Sequence, residues 1–171
     1  LFLAKKGFQI TGIDISDKGL KIAEDKSKEF NNKFIMQDIF EKYPFENNSF
    51  DAVMAYQSLN HAKKPAIIKA FQEVKRVLRP NGIFAIRIGN MATFNLERIK
   101  DNIYYDKEFK ETFQEIEPQT FIGLDGDEKG IIMYAFYEDE LMKDLERIGF
   151  HKIDSRLAPY HIIANFRNGK K

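Results

Sequence analysis

The sequence predicts an α/β fold, a doubly wound and mostly parallel sheet closed by a C-terminal antiparallel hairpin. Three observations carry that expectation. Apolar runs of strand length alternate with helical stretches through residues 8–88, the pattern of parallel strands sandwiched between helices. Residues 45–88 hold one complete strand–helix–strand unit. Residues 150–157 and 160–166 are apolar-rich runs on either side of Ala158-Pro159, which reads as a hairpin.

Each element has a local reason. The opening residues, 1–7, read as the last turns of a helix capped by Gly7, where a left-handed backbone favours glycine. Residues 8–15 form a buried strand. Ser16 then serves as N-cap of a helix over 17–30, with Asp17 in its first turn and Gly19 weakening it. Residues 33–37 form a short strand that ends at Asp38. A polar turn, Glu46 to Ser49, leads into the strand 50–55. In the helix over 65–78, Ile67, Ile68, Phe71, Val74, Val77 and Leu78 recur with the 3.6-residue period. Pro80-Asn81-Gly82 stops that helix before the strand 83–88.

The second half has a different texture. Residues 89–137 read as a long insertion, with 95–113 charged, aromatic and helical in part. Residues 120–124 and 131–136 are two strands around the turn DGDEKG. Residues 138–148 form a helix capped by Gly149.

Composition bounds the function. A chain of 171 residues suits one domain with a sizeable core, and 43% hydrophobic with 31% charged residues is a globular composition. The 27 basic and 26 acidic residues are well mixed, with no basic stripe of the kind that binds nucleic acid; Lys5-Lys6 and the tail Lys170-Lys171 are solvated surface. There is no cysteine, which excludes disulfides and cysteine-ligated zinc and agrees with a reducing, cytoplasmic location. No apolar run approaches the roughly 18 residues that span a membrane.

In open α/β sheets, ligands sit beyond the carboxyl ends of the strands. This directs attention to the junction 56–61, after the strand 50–55. Tyr56, Gln57 and His61 stand there. His61 is either a general base for a nucleophile near neutral pH or a helix-start residue that hydrogen-bonds backbone. Asp14 and Asp38 end the two preceding strands; each could also be a turn carboxylate. Asp51 begins a strand and is structural. His151 and His161 lie on the terminal hairpin as surface or core packing, and no metal site is expected. Arg87, alone among apolar neighbours, either reaches a substrate carboxylate or extends to solvent. The DGDEKG turn matches neither a phosphate loop nor a calcium loop.

The segments LAKKGFQITGIDIS, FIMQDIFEKYPFENNSFDAVMAYQSLNHA, FQEVKRVLRPNGIFAI and GIIMYAFYEDELMKDLERIGFHKID, in this order and spacing, resemble the small single-domain class I S-adenosylmethionine-dependent methyltransferases. The resemblance implies a Rossmann-like sheet of seven strands whose last strand runs antiparallel as the outer member of a hairpin. It implies S-adenosylmethionine as cofactor. Asp14 would accept hydrogen bonds from the ribose hydroxyls, with Ile15 packing on the adenine. Asp38 would accept from the adenine amino group, with Ile39 as apolar neighbour. Tyr56 and Gln57 would lie near the methionine part of the cofactor and the acceptor, and His61 and Tyr56 are the candidate catalytic residues. The expected acceptor is a small molecule, with no nucleic-acid or membrane partner and the oligomeric state open.

The family's glycine-rich loop lies roughly 20 residues before the ribose-binding acid. Only thirteen residues precede Asp14. The expectation is a single domain over 1–171 that lacks the family's first strand and glycine loop, with 89–137 as an insertion that caps the substrate. A non-catalytic methyltransferase-like interaction module and a nicotinamide-dependent oxidoreductase are the alternatives.

Overall fold

The computed structural model describes residues 1–94, 96–107, 109–158 and 161–169. The chain divides into two compact units, Leu1–Tyr43 and Pro44–Lys171.

The first unit opens with a short helix, α1 (Phe2–Lys5). Gly7 follows at a φ of 88°; its N–H bonds to Ala4 O at 2.9 Å and that of Phe8 to Leu3 O at 3.2 Å, the paired closure of a Schellman motif. Strand β1 (Thr11–Asp14) is shorter than the expected 8–15, because Ile10 pairs only at its margin, accepting from Lys33 N. Helix α2 (Asp17–Ser27) begins where Ser16 Oγ accepts from Gly19 N at 3.1 Å. It ends three residues earlier than expected. Strand β2 (Lys33–Met36) runs parallel to β1, with Asp14 opposite Met36.

The second unit starts its sheet with β3 (Phe50–Tyr56) and crosses through α3 (Lys64–Val77) to β4 (Leu78–Gly89). The helix stops at Val77, ahead of Pro80, since the residue before a proline is pushed out of the helical region. Asn168 Nδ2 donates to the carbonyls of Lys75, Leu78 and Arg79 and so closes that helix end. A 3₁₀ turn, Met91–Thr93, leads out of β4.

Within residues 96–134 the expected strands at 120–124 and 131–136 are present, whereas 96–113 correct the expectation of a part-helical stretch. Together these segments form an antiparallel meander: β5 (Leu96–Lys100), β6 (Ile103–Asp106), β7 (Glu111–Glu117), β8 (Thr120–Gly123) and β9 (Ile132–Tyr134), in that spatial order. The physical reason lies in the breaks. Asp101, Lys110 and Gln119 adopt positive φ, and Pro118 precedes the last of these. These turns leave segments too short for a stable helix, while Ile103, Tyr104, Tyr105 and Phe113 favour strands. Asn95 and Glu108, at the start and in the middle of that expectation, lie outside the described residues.

Helix α4 (Glu138–Ile148) ends at Gly149, with a φ of 102°. Then β10 (Phe150–Ala158) and β11 (His161–Asn168) pair antiparallel. Pro159 and Tyr160, expected in the hairpin turn and at the start of its second strand, lie outside the described residues, as do Lys170 and Lys171 of the tail. The four-stranded sheet has the order β10-β11-β4-β3. The last strand therefore lies inside the sheet, antiparallel to β4, and β10 is the outer member. This reverses the expected hairpin order. The sequence reason is burial: β11 carries Ile162, Ala164 and Phe166, all fully buried, whereas β10 leaves Ile153 and Leu157 in water.

One face of this sheet makes the core. Phe84, Ile86 and Ile88 of β4 join Ile162, Ala164 and Phe166 of β11. Ile67, Phe71 and Val74 of α3 and Leu141 and Leu145 of α4 complete it, and none of these is more than 1% exposed. The Phe84 ring stands 6.0 Å from that of Phe71 and 5.4 Å from that of Phe150, distances at which aromatic pairs attract.

Candidate functional site

The parallel pair of the first unit brings two of the expected acids to one strand end. Gln37 N bonds to Asp14 O at 2.9 Å, so the ladder continues to the residue before Asp38. Asp14 Oδ1 accepts from Ser16 N at 2.8 Å, and Asp38 Oδ1 accepts from Phe40 N at 2.8 Å. In each carboxylate one oxygen shapes the turn, and no hydrogen bond to a described residue occupies the other. Both acids are exposed. Ile15 is 73% exposed, an apolar side chain held in water directly after Asp14, and Ile39 is half-buried.

In the second unit the carboxyl end of β3 leads into the junction. Tyr56 pairs with Arg87 in register and is 51% exposed. Gln57 takes a φ of 54°, and its N–H extends the ladder to Arg87 O at 2.8 Å. The left-handed residue turns the chain off the sheet, and buried Leu59 anchors the turn. Gln57 Nε2 lies 2.6 Å from His161 Nε2, and Arg87 Nη2 lies 3.1 Å from His161 Nδ1. A guanidinium only donates, so Nδ1 accepts and the ring proton sits on Nε2. Gln57 accepts from that proton only with its amide turned so that Oε1 and Nε2 exchange places, an assignment set by the hydrogen-bond network. His161 is thus buried in a Gln57–His161–Arg87 chain and is not surface. Sequence reasoning missed it because the partners lie 104 and 74 residues away.

His61 lies at the far end of the junction, half-buried. Its Nδ1 is 4.0 Å from Glu128 Oε2 of the turn between β8 and β9. The neighbouring Asn60 carbonyl accepts from Tyr134 N at 2.8 Å, which fastens the meander to the junction.

A charged network lies just beyond, at the start of α3. Lys64 Nζ meets Glu140 Oε1 at 2.5 Å and Asp144 Oδ2 at 2.7 Å. Tyr134 Oη donates to Glu140 Oε1 at 2.6 Å, and Gln119 Nε2 donates to Glu140 Oε2 at 2.8 Å. Lys63 pairs with Glu117 nearby. Burial pushes the Glu140 carboxyl up, but hydrogen bonds from Lys64, Tyr134 and Gln119 outweigh it and hold the group below the usual carboxylate range. Burial likewise lowers the Lys64 ammonium, and its bonds to Asp144 and Glu140 carry it above its ordinary value. Tyr134 is raised by burial and by the adjoining Glu140 carboxylate. The charges are partnered and partly buried, so the network joins α3, α4 and the meander.

Among the described residues no group of His, Cys, Asp or Glu side chains is disposed to hold a metal, and no helix is long and apolar enough to cross a membrane.

The chain is similar to known proteins over this same framework. The profile of the family described as "Methyltransferase domain" matches residues 1–86, half of the chain. The putative methyltransferase YqeM of Bacillus subtilis is 41% identical over 83 residues, covering 47% of this chain and 34% of its own. A demethylmenaquinone methyltransferase of Staphylococcus haemolyticus is 27% identical over 158 residues, covering 86% of this chain and 60% of its own. The chain thus spans from about a third to three fifths of the length of these two relatives. A solved structure of an S-adenosylmethionine-dependent methyltransferase from Methanosarcina mazei superimposes with a TM-score of 0.76 at 18% identity, over 99% of this chain and 86% of that one. At that identity the likeness establishes the fold, the α/β fold of the class I methyltransferases. With its family profile spanning half the sequence, the chain belongs to the methyltransferase-domain family.

Proposed function

We propose that this protein is an S-adenosylmethionine-dependent methyltransferase that methylates a small molecule by in-line transfer. The observation that carries the reading is the pair of exposed acids at the carboxyl end of β1 and β2. Asp14 and Asp38 each have a carboxylate oxygen uncommitted to any described residue, and Ile15 offers an apolar surface in water beside Asp14. Uncommitted carboxylate oxygens suit ribose hydroxyls and an exocyclic amine, and an exposed isoleucine suits a flat heterocycle, so these residues fit the nucleoside part of the cofactor. When bound, that cofactor supplies an electrophilic methyl group. Asp14 would hold the ribose and Asp38 the adenine amine, between the apolar side chains of Ile15 and Ile39. Tyr56 and Gln57 would meet the reacting end, with Gln57 braced by His161. Methyl transfer depends chiefly on holding the nucleophile in line. The acceptor class is supported by the demethylmenaquinone relative and by the mixed surface charge, which offers no basic stripe.

Calorimetric titration tests this. S-adenosylhomocysteine and NADH are each titrated into this chain, and into the chain fused behind the first strand and glycine-rich loop of a family member. Saturable binding of S-adenosylhomocysteine by either form, weakened by Asp14→Asn, supports the proposal. Binding of NADH alone replaces it with a nicotinamide-dependent oxidoreductase. Binding of neither by folded protein replaces it with a non-catalytic interaction module.

A further inference from the structure

The turn between β8 and β9 is built more tightly than a connection requires. Gly130 N bonds to Gly123 O at 2.9 Å, Gly123 N to Ile131 O at 3.1 Å and Ile131 N to Glu128 O at 2.9 Å. Asp127 N is held by Glu111 Oε1 at 2.8 Å. A β-carbon at position 123 would lie 2.1 Å from the Glu128 carbonyl oxygen, so only glycine lets the backbone of Glu128 approach. The outcome is a carboxylate aimed at His61 from a segment more than sixty residues downstream. The Tyr134 to Asn60 hydrogen bond holds the same sheet against the junction.

Two polar atoms face each other there. His61 Nδ1 and Glu128 Oε2 are both buried atoms, neither has a hydrogen-bond partner among the described residues, and they stand 4.0 Å apart. That separation is too long for a hydrogen bond, and a buried polar atom without a partner is unfavourable. A closure of about 1 Å would satisfy both atoms at once. Contacts between a base and the group that orients it are often long before substrate binds.

We propose that Glu128 is a positioning residue that fixes His61 as the general base toward the methyl acceptor. Glu128 Oε2 accepts the proton of Nδ1, which places that proton on Nδ1 and leaves Nε2 bare. As the acceptor attacks, its O–H or N–H bond breaks and the proton passes to His61 Nε2. The bond's electron pair stays on the acceptor heteroatom, which would form the new bond to the methyl carbon as the methyl–sulfur bond of the sulfonium broke and its electron pair left with the sulfur of S-adenosylhomocysteine. The imidazolium so formed is stabilised by the Glu128 carboxylate. The inference rests on the methyltransferase reading and narrows its substrate class. The acceptor is a small molecule that gives up a proton as it is methylated, as a hydroxyl or amine does, since a nucleophile that loses no proton needs no base.

Nitrogen-15 spectra of the histidine rings in the whole protein test it, with the His61 signals assigned by their loss in His61→Gln. The expected result is a protonated Nδ1 and a bare Nε2 at His61. In Glu128→Gln the protonated and bare nitrogens should exchange or mix while the melting temperature stays unchanged, and Glu128→Asp should restore the wild-type tautomer in part. A contact that merely fastened the turn would move the melting temperature and leave the tautomer alone. A bare Nδ1 in the wild type, or a tautomer unaffected by Glu128→Gln, overturns the inference. Calorimetry with S-adenosylhomocysteine on the same samples separates the two readings. Binding with an insensitive tautomer removes the base pair alone, and a Glu128-dependent tautomer without binding by the chain or its fusion removes the methyltransferase reading.

Discussion

The two compact units divide stability and chemistry unevenly. In residues 44–169 whole rows of side chains are sealed: Phe71, Phe84, Phe136, Phe150 and Phe166 are all less than 2% exposed. The first 43 residues bury little beyond Ala4, Leu20 and Tyr43, and leave Phe2, Phe8, Ile15, Ile22 and Met36 in water. A segment of that size seldom buries enough apolar surface to hold itself. Yet it is the smaller unit that presents the acids and the apolar side chain suited to a nucleoside. A site must keep its recognition groups uncommitted, and groups left uncommitted contribute little to the core. In the larger unit the end of β3 carries Tyr56 and leads into the junction that holds Gln57 and His61.

The sharpest way to break this comparison is by truncation in each unit. Phe84→Ala should lower unfolding free energy by about 3–5 kcal/mol in urea, and Phe8→Ala by less than about 0.5 kcal/mol. Equal losses would mean that the smaller unit carries as much of the stability. Next in size is the Lys64 network. Glu140→Gln removes a charge that Lys64, Tyr134 and Gln119 all bond, and should destabilise the protein by about 1–3 kcal/mol at neutral pH. The folded state holds Glu140 below its unfolded value and so binds fewer protons there. Its stabilisation is complete above the unfolded carboxylate range and is lost as pH falls through the folded value. Urea midpoints measured down that acid limb should therefore fall less steeply in Glu140→Gln than in the wild type.

A smaller effect, confined to binding, is expected at Asp14. Asp14→Asn should weaken S-adenosylhomocysteine by about tenfold, roughly the worth of one charged hydrogen bond, and leave the melting temperature unmoved. A shift in melting temperature without a change in affinity would make Asp14 a turn residue only. The smallest change is Ser16→Ala, which removes the cap bond to Gly19 N. It should destabilise α2 by about 1 kcal/mol and speed amide exchange in its first turn, with no effect on exchange in α3.

Local rules reached the helices and their ends well. Ser16 as cap, Gly7 and Gly149 as helix ends and the period of Ile67, Phe71 and Val74 each depend on neighbours within four residues, and the elements they announced are present. The meander was misjudged because Tyr104, Tyr105 and Phe113 carry no periodicity strong enough to separate strand from helix. The turns at Asp101, Lys110 and Gln119 use non-glycine residues in left-handed conformations, which sequence marks weakly. The junction residues were legible as strand-end residues. Their partners were not: nothing near Gln57 points to His161, and nothing near His61 points to Glu128.

The chain's own order of residues thus determined which segments are strands and helices in the α/β half, that the last two strands form a hairpin, and which acids end β1 and β2. Each of these follows from spacing, capping and burial along a few residues. Only the tertiary structure decided that β11 lies inside the sheet beside β4, that His161 braces Gln57, and that Glu128 faces His61. Those contacts join residues separated by more than sixty positions. They arise because burying one sheet face and closing one tight turn brings distant polar atoms within reach, a consequence of packing that no local pattern encodes.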